Sequence, residues 1–208
     1  MNTFTFKETP TMTDGGTWGA VIDALRAPEE FARAWDRSTP DQRPASWIPI
    51  FAVFFLTAVL GTAAYGLTMG FTAGAPGMIA KSWKAVLAAG GAWATALPTL
   101  YIFNSLLGSK LRLSTTFLAA LVTTSFGGLA MLASIPVNWI WSVGVPLAPW
   151  ILAVNLIIFA GVGLSMADTF LRVMRAVDPG SRSFPLVWLT ILGCVGGEYF
   201  YLLGLFRF

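Results

Sequence analysis

The chain has no histidine, a single cysteine (Cys194), and few charges: only 11% of its 208 residues are Asp, Glu, Lys or Arg. Each scarcity excludes something. Without histidine there is no bis-His haem, no His-rich metal site and no Ser-His-Asp triad, and the usual axial ligand of a chlorophyll-type pigment is missing too. One cysteine cannot form a disulfide within the chain, and Cys194 inside an apolar run reads as a small packing residue. The net charge of +3 comes without a basic stripe on a soluble face, which excludes a nucleic-acid-binding reading.

What the chain has instead is hydrophobic length, with 56% apolar side chains. A helix rising about 1.5 Å per residue needs about 20 apolar residues to cross a hydrocarbon layer of about 30 Å. Five stretches qualify: 47–71, 83–107, 115–137, 147–171 and 185–205. The expected fold is all-α, a polytopic membrane bundle of five transmembrane helices (47–208) behind an N-terminal arm (1–46). The first apolar run is too long for a cleaved signal sequence, so the first span is expected to stay as an anchor.

Within the arm, Trp18, Val21, Ile22 and Leu25 repeat at i, i+3, i+4 and i+7, giving one helix an apolar face. Pro28 then suits the first turn of a second helix, with Glu29 and Glu30 at the positive end of its dipole. Phe31 and Trp35 lie one turn apart on it. Two short amphipathic helices are expected, with Trp18, Leu25, Phe31 and Trp35 contacting either the membrane surface or another subunit.

Several features of the spans carry further expectations. Gly66, Gly70 and Gly74 recur every four residues, allowing close helix approach unless Gly74 belongs to the following turn. Pro98 predicts a kink in the second span, with Thr95, Thr99 and Asn104 available to satisfy the freed backbone groups. Ser114 reads as the N-cap of the third span. The uncharged stretch 138–150, with Trp139, Trp141 and Trp150, reads as an interfacial loop. Asn155 and the run Thr123-Thr124-Ser125 suggest interhelical hydrogen bonds, and Asp168 and Arg172 the i, i+4 spacing of an ion pair.

Alternating the loops across five spans puts ten of the 13 Lys and Arg on the N-terminal face: Lys7 and four arginines of the arm, Lys110, Arg112, Arg172, Arg175 and Arg182. Only Lys81, Lys84 and Arg207 fall opposite. The positive-inside rule then gives a cytoplasmic N-terminus and a periplasmic or extracellular C-terminus; the expected location is the cell's inner (cytoplasmic) membrane.

Chemistry inside a membrane is usually marked by ionisable groups at depth, and here Glu198 is the candidate. It is either a proton or cation site, or a structural carboxylate in the outer third of its span, paired with Lys81 or Lys84 or bonded to a tyrosine. No acid–base pair, activated nucleophile, phosphate loop or metal spacing is present, so no catalytic, cofactor-binding or metal-ligating residue is assigned.

Leu25, Pro28 and Phe31, followed by Trp47 and Pro49 opening the first span, resemble the N-terminal run of the Yip-domain family of small five-span membrane proteins. The stretch 98–113, PTLYIFNSLLGSKLRL, is similar to the second-span exit of related bacterial five-span proteins. The resemblance implies a helical membrane scaffold or adaptor; eukaryotic members bind small GTPases in vesicle traffic, and no binding residue carries over. The expected function is a non-catalytic scaffold or accessory subunit, in contact with lipids and other membrane-protein subunits. A small transporter or channel component using Glu198, Asn155 and Asn104 is the alternative.

Overall fold

A computed structural model of the chain describes residues 16–38, 47–106, 112–179 and 184–206. Among them there is no strand. Two short helices, α1 (Gly16–Arg26) and α2 (Pro28–Arg37), precede five longer ones: α3 (Trp47–Met69), α4 (Gly74–Leu106), α5 (Leu113–Gly144), α6 (Ala148–Val177) and α7 (Phe184–Leu202). Helices α3 to α6 are each long and apolar enough to cross a membrane. α7 has 19 residues, with Glu198 its one charged side chain.

The helices outrun the apolar stretches that announce them. α4, α5 and α6 have 33, 32 and 30 residues, or about 45–50 Å at about 1.5 Å each. The stretch 138–150 is accordingly not an extended loop. Trp139 and Trp141 belong to α5, Trp150 to α6, and only residues 145–147 join them. In an apolar setting the backbone has no better hydrogen-bonding option than to remain helical, and Pro136 removes only one donor. The Trp141 and Trp150 rings stack across this short link, with centroids 6.2 Å apart. The start of α5 also differs from expectation. Arg112 holds the cap position, its carbonyl accepting from the Thr115 and Thr116 amides, and Ser114 lies inside the first turn.

α3 lies between α4 and α5; α5 continues the packing to α6, while α7 closes against α4 and, more lightly, α6. Glycine decides how near the helices come. A Cβ on Gly61 would overlap the Gly128 carbonyl, and one on Gly128 would lie 2.8 Å from Ala58 Cα, so α3 and α5 cross backbone to backbone. Of the expected glycine series, Gly66 and Gly70 face α4 at Ser82 and Gly77. Gly74 instead takes φ +71° and ends the short 3₁₀ turn Phe71–Ala73 between α3 and α4. That left-handed conformation suits glycine and turns the chain within four residues.

The arm's two helices give Val21, Ala24, Phe31 and Trp35 to the chain itself, whereas Ile22 of the expected α1 face stays exposed. Phe31 and Trp35 are 9% and 6% exposed. Phe31 meets Phe54 edge-on at 6.1 Å and Trp35 meets Phe51 at 5.3 Å, in a cluster with Val21, Ala24, Leu118 and Val122. Leu25 packs at its margin. Phe31 and Trp35 are thus occupied within the molecule rather than turned to a lipid surface or a second subunit. The reason is geometric. The first turns of α3 and α5 and the last turns of α6 leave apolar ground at one end of the bundle, and α2 covers it. The Trp18 side chain lies outside the described positions.

Candidate functional site

Polar side chains gather at three places on this frame. The first is the rim of α2. Thr115 Oγ1 donates to Asp36 Oδ1 at 2.8 Å, and Arg33 Nε donates to the Ala176 carbonyl at 3.1 Å. Arg172 pairs with Asp168 at 3.0 Å, the i+4 contact its spacing predicts, and reaches Glu29 of α2 at 3.7 Å. These contacts ring the buried Phe31 and Trp35 and tie α2 to α5 and α6. The exposed ion pairs contribute little on their own account; the burial of the two aromatic rings holds the helix.

The second place is the bundle interior toward its other end. Tyr65 of α3, fully buried, donates its hydroxyl to Asn155 Oδ1 of α6 at 2.7 Å. Asn155 Nδ2 donates in turn to the Ile151 carbonyl at 2.8 Å. Asn138 of α5 donates to Thr68 Oγ1 at 2.8 Å, and Thr68 donates to the Tyr65 carbonyl at 2.7 Å. Three helices are therefore joined through two side-chain hydrogen bonds, of which Tyr65–Asn155 is buried and Asn138–Thr68 partly so. Asn155 makes the interhelical bond expected of it. Thr123 and Thr124 do not: their hydroxyls turn back on α5 carbonyls, at 2.7 Å to Ala119 and 3.0 Å to Ala120. A threonine in a helix finds a carbonyl one turn away without help from a neighbour. Ser125 Oγ and Asn138 Oδ1 are buried with no hydrogen-bond partner among the described residues.

Around Pro98, Thr99 Oγ1 donates to the Thr95 carbonyl at 3.2 Å, while Thr95 Oγ1 lies 3.2 Å from the Tyr199 hydroxyl. The Asn104 side chain is outside the described positions.

Glu198 occupies the third place, and here the structure corrects the expected surroundings. Tyr199 lies against Gly91, and Gly196 against Ala92. Gly91 is the eighteenth of the 33 residues of α4, so these contacts set the last third of α7, where Glu198 is the fifteenth of 19 residues, beside the middle of α4. Lys81 is not its partner. Lys81 Nζ donates to the carbonyls of Gly204 and Leu205, beyond the end of α7 and about 9 Å further along at about 1.5 Å per residue. Nor is a tyrosine: Tyr199 is directed to α4, and among the described residues no hydrogen bond joins Glu198 to Tyr201, three positions on. Glu198 is exposed on the outside of the bundle, as is Cys194 one turn before it. Among the described residues it forms no ion pair.

No group of three His, Cys, Asp or Glu side chains that could hold a metal ion occurs among the described residues. Two outward-open grooves add no chemistry of their own. One of about 420 Å³ between α3 and α4 is lined by Leu67, Ile79 and Trp83 among others, and one of about 640 Å³ between α4 and α5 by Leu97, Tyr101 and Phe117 among others; neither holds a carboxylate or a cation. Comparison with protein-family models, curated proteins and solved structures found no match.

The sequence reading missed Tyr65, Asn138 and Thr68. A buried tyrosine four residues from the end of α3 resembles an interfacial anchor in sequence, and only its partner 90 residues away distinguishes the two roles. The Gly61–Gly128 crossing was missed for a related reason, because neither glycine belongs to a spaced series.

Proposed function

We propose that this chain is a non-catalytic accessory subunit or scaffold of the cytoplasmic membrane, organising a partner membrane protein. α7 serves as a fifth span: its 19 residues cover about 28 Å at about 1.5 Å per residue, close to the hydrocarbon thickness. Five crossings, with the charge asymmetry of the loops, put α1, α2 and the N-terminus in the cytoplasm and the C-terminus outside.

The observation that carries this reading is the direction of Glu198. A transport group faces the bundle interior or a water-filled path. Glu198 faces outward, while the interior polar groups Tyr65 and Asn155 are spent on joining helices. An outward carboxylate supports a role in contact with something outside the chain. The Yip-domain resemblance points in the same direction, toward a helical adaptor.

The test is purification from native membranes in a mild detergent, with the mass of the complex measured. A particle containing one stoichiometric protein partner is expected. A monomer that by itself conducts ions or solutes in proteoliposomes would reverse the reading.

A further inference from the structure

The larger of the two grooves, about 640 Å³, has apolar walls: Leu97, Tyr101 and Ile102 on α4, Leu113 and Phe117 on α5. Arg112 is the residue before Leu113, so a cation stands where the α5 wall begins. Its Nη1 reaches the Ser38 carbonyl at 3.5 Å, the limit of a hydrogen bond, which brings it beside Arg37, the last residue of α2. Rings tie the same end together, since Phe117 stacks on Phe51 of α3 at 6.2 Å and Phe51 meets Trp35 of α2. The neighbouring arginines are engaged, Arg33 with the Ala176 carbonyl and Arg172 with Asp168 and Glu29. Arg37 and Arg112 are both exposed, and among the described residues neither forms an ion pair. A hydrocarbon groove thus runs up to two guanidinium groups that no carboxylate neutralises.

We infer that this groove holds an acyl chain of an anionic phospholipid, whose phosphate lies on Arg112 and Arg37. The assignment rests on α4 and α5 crossing the membrane with this end on the cytoplasmic side, as proposed above, and not on the subunit reading. Shape and charge choose the occupant together. The volume falls within the about 300–1,000 Å³ of clefts that take small ligands. A helix of another protein is about 10–12 Å across with its side chains, whereas the α4 wall runs only from Leu97 to Ile102, about 8 Å at about 1.5 Å per residue. A flexible chain fits such a space better than a helix does. The guanidinium groups call for an anion, and they grip phosphate oxygens through paired N–H donors. A zwitterionic lipid brings its own cation and gains less from them. The cytoplasmic leaflet supplies anionic headgroups, and basic sites between transmembrane helices on that side are where such headgroups are held.

The experiment takes the purified full-length protein in an uncharged detergent and measures binding of phosphatidylglycerol and phosphatidylcholine with identical chains by native mass spectrometry, alongside the thermal unfolding midpoint. Phosphatidylglycerol should bind about tenfold or more tightly, two arginines contributing to its headgroup. Arg37→Gln with Arg112→Gln should abolish that preference and leave the lipid-free midpoint unchanged. Arg175→Gln, at an exposed arginine of α6 outside the groove, should leave the preference in place. Ser114→Trp is the independent variant, since it fills the groove, keeps both arginines and should weaken both lipids. Equal binding of the two lipids overturns the proposal, as does a preference that survives the loss of both arginines or falls as far in Arg175→Gln. Displacement of phosphatidylglycerol by glycerol phosphate alone would overturn it too, by making a free phosphate the ligand. Wild-type affinity in Ser114→Trp would remove the groove from the site. Binding in detergent depends on neither membrane orientation nor a protein partner, so this assignment and the subunit reading can fail separately.

Discussion

At the scale of single residues, the molecule depends on places where one atom more or less decides the packing. Gly128 is one of them. A side chain there meets the backbone of α3 rather than a movable side chain, so Gly128→Val should cost at least the 1–3 kcal/mol typical of overpacking. Thermal unfolding in detergent should show a markedly lower midpoint, whereas Gly144→Val, whose Cβ site is open, should shift it far less. Tyr65→Phe tests the buried polar contact. It leaves Asn155 Oδ1 without its donor, for a loss of about 1–2 kcal/mol. Combining it with Asn155→Leu should cost less than the sum of the single changes, and additive losses would show that the bond does not couple the helices.

At the scale of elements, α2 shows how a short amphipathic segment gains stability from its own chain. Ten residues make a marginal helix in isolation. Pro28 at its start, Glu29 and Glu30 in its first turn and Arg37 in its last all favour it, and Ser38 closes it by donating from its hydroxyl to the Trp35 carbonyl at 2.7 Å. Burial of Phe31 and Trp35 supplies the rest. Trp35→Ala should therefore cost about 3–5 kcal/mol of docking. The expected readout is faster trypsin cleavage after Arg33 and Arg37, with membrane insertion unchanged. Asp36→Ala removes only the acceptor for Thr115 and should have a smaller effect, about 1 kcal/mol. Equal protease sensitivity in the wild type and Trp35→Ala would show that the α2 contact contributes nothing in the membrane.

At the scale of the whole molecule, the prediction is topological. A reporter fused after Phe208 should read as periplasmic or extracellular, and one inserted at Asp178 as cytoplasmic. A cytoplasmic C-terminus would remove α7 as a span. Such a result would leave the packing of α3 to α6 intact, because the Gly61–Gly128 crossing and the Tyr65–Asn155 bond involve only those helices.

The sequence by itself determined the helical class, the membrane-crossing length of α3 to α6 and the Asp168–Arg172 pair. Apolar length and i+4 spacing are local properties, read directly along the chain. It did not determine which glycines meet, since Gly61 and Gly128 are brought together by the crossing of two helices rather than by any repeat. Nor did it determine that Phe31 and Trp35 cover the bundle's own end: an amphipathic face specifies that something apolar will be met, but not what. The direction of Glu198 was likewise decided by tertiary structure. The contacts of Tyr199 with Gly91 and of Gly196 with Ala92 fix the register of α7 against α4 and turn the neighbouring carboxylate outward. Register and rotation arise from side chains packing between helices, and that information is distributed over residues far apart in the chain.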